Sequence, residues 1–275
     1  MKKTFIGIYH ADRRLRQYCM AKKLIEVKNV TKIFSSGKLE NICAIQNVTF
    51  DVYKGEFLSI VGPSGCGKST LLRLITGLDT PTSGKIIVDG KEVLAPRPDV
   101  AMVFQDPTLM RWRTVMDNIL LPIEFMREDK KKYLQKASSL IKLVGLQGFE
   151  NFYPDELSGG MKARVNVCRG LIHDPSTLLM DEPFGPLDAL TRRTLDFELM
   201  RIWHETKKTI LFVTHDVREG VFLGDRVLVF TERPARIKAM INVNLPRPRT
   251  DETEGNKRFI KLEREILAHL GVEKG

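Results

Sequence analysis

The sequence predicts an α/β fold built on a mostly parallel sheet. Three observations predict it. Short apolar segments, among them Phe57–Val61, Leu178–Met180 and Thr209–Thr214, alternate with segments of helical period. The run Gly62-Pro63-Ser64-Gly65-Cys66-Gly67-Lys68-Ser69-Thr70 joins one such strand to a helix. A second strand ends on two acids, Asp181 and Glu182, and ligands of open α/β sheets sit at the carboxyl ends of strands.

Taken in order, Leu24–Val30 alternates apolar and polar residues, as a half-buried strand does, and Val48, Phe50 and Val52 repeat the pattern. Phe57–Val61 is a continuous apolar strand bounded by Gly55 and Gly62. Leu71, Leu72, Leu74 and Ile75 follow helical spacing, and Gly77 stops that helix. Lys85–Val88 runs into Asp89-Gly90, a hairpin-type turn. Val100–Phe104 is a further strand. From Asp106 to about Gly160 the pattern turns helical, with Tyr133, Ala137, Leu140, Ile141 and Val144 on one stripe. Lys130–Lys132 reads as its solvated face. Leu178–Met180 and Thr209–Thr214 flank a helix near Arg192–His204. Pro246, Pro248 and the polar stretch to Gly255 read as a linker. Phe259, Leu262, Ile266, Leu267 and Leu270 form the stripe of a C-terminal helix ending at Gly271.

Composition narrows the function. The net charge of +10 allows nucleic acid, an anionic surface or a phosphate ligand as partner. The basic residues are spread out without an interleaved aromatic stripe, which speaks against nucleic acid. Part of the charge sits in residues 1–21, where Lys2, Lys3, Arg13, Arg14 and Arg16 face only Asp12, and this segment is expected to be a disordered basic arm. Met20 opens a stretch that reads like an ordinary start. Cys19, Cys43, Cys66 and Cys168 are scattered, so neither a disulfide framework nor a zinc site is expected. No apolar run approaches the ~20 residues of a membrane span. A role at a membrane would need another chain to cross it.

The run from Gly62 to Thr70 matches the phosphate-loop pattern in its required strand-to-helix context. Its glycines let backbone N–H groups turn toward phosphates, and the helix N-terminus adds partial positive charge. Lys68 reaches for the β- and γ-phosphates, and the Ser69 hydroxyl suits Mg²⁺. Cys66 reads as a small spacer. Asp181 suits Mg²⁺ binding, directly or through water, and Glu182 is placed to polarise an attacking water. Ser158 is a good N-cap for a helix carrying Met161, Val165, Cys168 and Ile172 on one face. On sequence physics alone that helix is merely capped, although Gly159-Gly160 beside its N-terminus makes a good anion site.

Leu157-Ser158-Gly159-Gly160, lying between the phosphate loop and the acidic strand, resembles the signature of the ATP-binding-cassette (ABC) ATPases. The resemblance covers about residues 22–245. It implies a RecA-like P-loop NTPase core with an antiparallel β subdomain and an α-helical signature subdomain, about 106–160. Phe34 matches the aromatic that stacks on adenine. Gln105 matches the glutamine that links core to helical subdomain and reaches the metal, Asp188 the loop after the acidic strand, and His215 the histidine that senses the γ-phosphate. Taken singly, Phe34 reads as a core aromatic, Gln105 as a loop residue and His215 as a satisfied histidine. The phrases Phe104-Gln-Asp-Pro, Asp181-Glu-Pro-Phe-Gly, Leu187-Asp-Ala-Leu-Thr-Arg192 and Leu245-Pro-Arg-Pro-Arg249 are similar to the importer branch for nitrate, sulfonate, taurine and bicarbonate. Departures fall at Met161-Lys-Ala-Arg164, Pro186 and Arg111, none of them at a catalytic group.

The resemblance implies an ATP- and Mg²⁺-dependent hydrolase at the cytoplasmic face of the membrane. Two copies would close head to tail, Lys68, Ser69 and Asp181 of one facing Ser158 and Gly160 of the other. The partners implied are a second copy, integral membrane permease subunits and, indirectly, a substrate-binding protein. Trp112 and Phe125 are candidates for the permease groove or for plain core packing. The second reading is the ATPase of an exporter or of a non-transport cytosolic machine. Against the latter, one chain carries one cassette, and the phosphate loop and signature are not separated by sustained heptads.

Overall fold

The computed structural model describes residues 22–36 and 39–272. The expected basic arm, 1–21, lies outside the described residues.

Among the described residues two sheets form. The first is antiparallel, in the order β2-β1-β4-β5, from β1 (Lys23–Ser36), β2 (Leu39–Tyr53), β4 (Ser83–Val88) and β5 (Lys91–Glu92). The second has the order β10-β9-β3-β8-β7-β6. Its strands β3 (Phe57–Val61), β6 (Val100–Val103), β7 (Thr177–Asp181), β8 (Thr209–Thr214) and β9 (Arg226–Phe230) are parallel, and β10 (Ile237–Asn242) is an antiparallel edge.

The central strands read as unbroken apolar runs because both faces are buried. Side chains alternate between faces. Phe57, Leu178, Met180, Ile210 and Phe212 enter one core. Leu58, Ile60, Leu179, Leu211 and Val213 enter the other. The second core also holds Leu71, Leu72, Leu74 and Ile75 of α1 (Lys68–Thr76), which lies against the antiparallel sheet. Gly77 ends α1 with φ 78°, and a Cβ there would sit 2.4 Å from Ala95 O, so only glycine fits.

The helical portion comprises α2 (Val115–Phe125), a 3₁₀ turn (Lys130–Tyr133), α3 (Leu134–Leu143) and α4 (Gly159–Leu171). Ile119, Ala137, Ile141 and Val165 bury their stripes in the first core. Thr114 caps α2 by accepting from Asp117 N at 3.2 Å. Asn118, fully buried, accepts from Met110 N and donates to Met110 O and Arg113 O, which fixes the loop ahead of α2. After β7 come α5 (Ala189–Thr206) and, after β8, α6 (Val217–Leu223).

Several elements exceed what the sequence pattern predicts. β1 and β2 run on past the predicted segments through register shifts, with Asn29 at φ 51° and Asn47 at φ 50°. Asn29 N donates to Thr49 Oγ1, and Asn47 N to Thr31 Oγ1. Such bulges break the two-residue alternation. The sequence pattern does not predict α6, β9 or β10. The stretch read as a linker is bonded to the core. Arg247 Nη2 donates to Asp225 Oδ1 at 2.9 Å and Leu223 O at 2.6 Å. Arg249 Nη1 donates to the carbonyls of Val221, Phe222 and Gly224. Asp251–Glu254 within that stretch forms a short helix, α7, and beyond it stands α8 (Lys257–Leu270), capped by Gly271 and burying Phe259, Leu262 and Ile266.

Candidate active site

The order β3-β8-β7-β6 sets four strand ends side by side: Val61 pairs with Thr214, Val213 with Asp181, and Met180 with Val103. The segments that leave these ends therefore meet at one edge of the sheet. They are the phosphate loop, His215, Glu182 and Gln105.

The loop from Gly62 to Gly67 feeds α1. Gly67 has φ 128°, and a Cβ there would approach Ala44 O to 2.7 Å. Lys68 is buried and donates from Nζ to Gly62 O at 2.8 Å and Pro63 O at 3.0 Å. Ser69 Oγ donates to Asp181 Oδ1 at 3.0 Å. Burial raises the Asp181 carboxyl above its ordinary range, opposed by the Ser69 bond and helped by the neighbouring Glu182 charge. Cys66 is buried and its thiol pushed up by burial, which makes it a spacer and not a nucleophile.

Glu182 holds the centre. Its Oε2 lies 2.8 Å from His215 Nδ1 and its Oε1 lies 3.7 Å from Lys68 Nζ. Its φ is 43°, a conformation that costs a non-glycine residue about 1–3 kcal/mol. The bond from Glu182 N to Val213 O at 3.0 Å and the turn bond from Gly185 N to Glu182 O at 3.0 Å hold it there. Ser64, Gly65, Gly67, Lys68, Ser69, Thr70, Gln105 and Glu182 line a polar cavity of about 310 Å³. A buried lysine, a row of loop N–H groups and a serine beside a carboxylate are a donor set for a polyphosphate and a hard cation. Among the described residues no group of three or more His, Cys, Asp or Glu gathers to hold a metal. Ser69 and Asp181 would thus supply part of a shell completed by phosphate and water.

Other predicted residues stand outside this cavity. Phe34 lies on β1, 40% exposed, with Lys32 Nζ 4.9 Å from its ring centre, so it is no core aromatic. Ser158 caps α4, accepting from Met161 N at 3.3 Å. Gly159 presses on the loop after β7 and Gly160 on the first turn of α5: added Cβ atoms would meet Leu187 Cδ2 at 3.0 Å and Thr191 Cγ2 at 2.8 Å. Asp188 caps α5 through Leu190 N and Thr191 N, and its bonds to Thr191 hold its carboxyl below the usual range. Sequence reasoning missed the part of Arg192. Its guanidinium donates to the carbonyls of Phe184, Gly185 and Leu187, so it shapes the loop between Glu182 and Asp188. No local pattern announces that bond set.

A groove of about 490 Å³ lies beside Gln105, lined by Phe104, Met110, Phe125, Met126, Arg169 and His173 among others. Phe125 is 77% exposed and Trp112 74% exposed, so neither is core packing. Among the described residues no helix is long and apolar enough to cross a membrane.

The sequence profile of the ABC transporter family matches residues 45–185. An ABC transporter ATP-binding protein of Methanocaldococcus jannaschii is 48% identical over 95% of this chain and 97% of its own. The chain belongs to the ABC transporter family. Among other members, the aliphatic sulfonates import ATP-binding protein SsuB of Bacillus cereus is 40% identical over 88% of this chain and 94% of its own. The nitrate import ATP-binding protein NrtD of Synechocystis is 44% identical, over 88% and 89%. An ATP-binding cassette solved as a dimer in a post-hydrolysis state with ADP and Pi superposes with TM-score 0.71 at 31% identity, over 81% of this chain and all of that one. As an ABC ATPase, the chain binds and hydrolyses ATP on an α/β P-loop fold.

Proposed function

We propose that this ABC ATPase energises a membrane importer for a small anion of the nitrate, sulfonate, taurine or bicarbonate kind. It would work as a pair of copies at the cytoplasmic face. The observation that carries the catalytic part is Glu182, strained in its backbone and held between His215 and Lys68 at the mouth of the phosphate cavity. The names of the relatives at 40% and 44% identity support import of a small anion.

In this reading the phosphate-loop N–H groups and Lys68 hold the β- and γ-phosphates. Ser69, Asp181 and Gln105 are the residues for Mg²⁺, which when bound spreads the charge of the phosphate oxygens. Glu182 takes a proton from water as the water oxygen bonds to the γ-phosphorus and the bond to the bridging oxygen breaks, releasing ADP and phosphate. His215 aligns Glu182 and meets the γ-phosphate. Phe34 stacks on adenine from its exposed strand. Ser158, Gly159, Gly160 and Asp188 act on the nucleotide of the second copy, which fits their place outside their own chain's cavity and the exposure of Ser158, Gly159 and Asp188. The groove beside Gln105, with Phe125 on its rim, suits a short helix of a permease subunit. A substrate-binding protein would then deliver the anion to the permease.

The test is gentle extraction of the tagged full chain from its native membranes, with partners identified by mass spectrometry. The expected result is a polytopic permease and an associated binding protein, which is then screened for its anion. Recovery of soluble partners alone overturns the importer reading and leaves the ATPase.

A further inference from the structure

Two buried carboxyls unused in the scheme above lie behind His215. Asp196 on α5 and Glu219 on α6 are both buried, and their carboxyl groups are within hydrogen-bonding reach of each other. Two carboxylates have no proton to share, so this contact requires one of the pair to stay protonated. Glu219 Oε2 also accepts from Thr214 Oγ1. That same hydroxyl accepts from Asp216 N at 3.0 Å. A hydroxyl has one proton to give: it goes to Glu219, and a lone pair takes the Asp216 N–H. The two bonds straddle His215, whose Nδ1 stands 2.8 Å from Glu182 Oε2.

The charges around the pair are few. Arg193 and Asp216 act on Asp196, and Arg192 and Asp216 act on Glu219. Burial first, then the neighbouring Glu219 charge, pushes Asp196 up to about 9. Burial likewise pushes Glu219 up to about 7, against the bond from Thr214. The arginines pull the other way without cancelling the burial. One proton therefore stays on the pair through neutral pH, and because Glu219 already accepts from the Thr214 hydroxyl, Asp196 is the donor.

We propose that protonated Asp196 is a positioning residue for His215: it donates to Glu219, Glu219 fixes the Thr214 hydroxyl, and that hydroxyl fixes the turn that holds His215 against Glu182. The inference rests on the catalytic roles proposed for Glu182 and His215. When the pair loses its proton, two buried carboxylates repel, Glu219 turns from Thr214, and His215 is no longer held. The chemical step slows. ATP binding, which depends on the phosphate loop, is left in place.

The test is the ATPase rate of the full chain from about pH 6 to about pH 10. Asp196→Asn donates through its amide without needing a proton. It is expected to hold its turnover through the alkaline range where the wild type falls, with KM for ATP within about twofold of wild type. Asp196→Leu has no donor and is expected to lose kcat about tenfold or more at neutral pH, again with little change in KM. An Asn variant that keeps the wild-type alkaline fall overturns the proposal. So does a Leu variant with wild-type turnover, or one whose KM rises in step with the loss of kcat. If the Leu variant does not fold, the Asn profile decides alone. His215→Ala run alongside separates the two levels. Wild-type turnover in His215→Ala overturns the role of His215 and this proposal together. An inactive His215→Ala beside an unshifted Asn profile overturns this proposal only.

Discussion

Replacing Glu182 by glutamine is expected to separate ATP binding from ATP turnover. The amide keeps the size of the side chain, and the backbone at φ 43° is as strained for glutamine as for glutamate, so the fold should be indifferent to the change. What is lost is the carboxylate that Lys68 faces at 3.7 Å and His215 at 2.8 Å. A positioned general base contributes about 10²–10⁴ in rate. At 1.36 kcal/mol per decade that is about 3–5 kcal/mol of barrier. ATP affinity holds or rises, because a negative charge beside the triphosphate is removed. Phosphate release under saturating MgATP measures the first effect, equilibrium nucleotide binding the second, and gel filtration with MgATP the dimer that unhydrolysed nucleotide should trap. Turnover within about tenfold of wild type would refute the reasoning. So would a loss of ATP affinity in step with the loss of rate, since that would make Glu182 a binding residue.

Lys68→Ala removes the buried ammonium aimed into the phosphate loop. ATP affinity should fall at least about tenfold in an equilibrium titration, the equivalent of about 1.4 kcal/mol. Ser158→Ala should leave nucleotide binding to the isolated chain unchanged, since Ser158 does not line that chain's cavity, while turnover at saturating ATP collapses; weakened binding at high dilution would count against a role in a second copy. Glu56→Gln strips Arg226 of a carboxylate that it grips through Nε at 2.5 Å and Nη2 at 3.0 Å. Both residues are buried, so about 3–5 kcal/mol of stability should go. Thermal melting should show a drop of roughly 6–20 °C. A melt unchanged from wild type would show that the amide satisfies Arg226 as well as the carboxylate does.

The parts legible in the sequence are those in which neighbours along the chain do the work together. The phosphate loop carries its strand, turn and helix within one short run, and β7 carries Asp181 and Glu182 on its own end. α1 and α8 announce their stops through Gly77 and Gly271. The extent of β1 and β2 is hidden because Asn29 and Asn47 take positive φ and interrupt the alternation. β9 carries an apolar run that resembles any other buried segment, and nothing local says which strand it pairs with. Arg247, Arg249 and Arg192 are ordinary surface residues in composition; their carbonyl partners come together only in the folded chain. Asp196 and Glu219 are the extreme case. Each is an unremarkable acid on a helix, and only the packing of α5 on α6 makes them a pair.

The bonds from Arg249 to Val221, Phe222 and Gly224 reach the last carbonyls of α6, where a cation complements the helix dipole. The first turn of that same short helix is capped by Asp216, directly after His215. One end of the rod thus adjoins His215 and the other is clamped by the tail. The C-terminal segment is built into the helix that follows His215 and is not a detachable appendix. Grafting a foreign tail onto this cassette would transmit any mismatch along two turns of helix to the histidine.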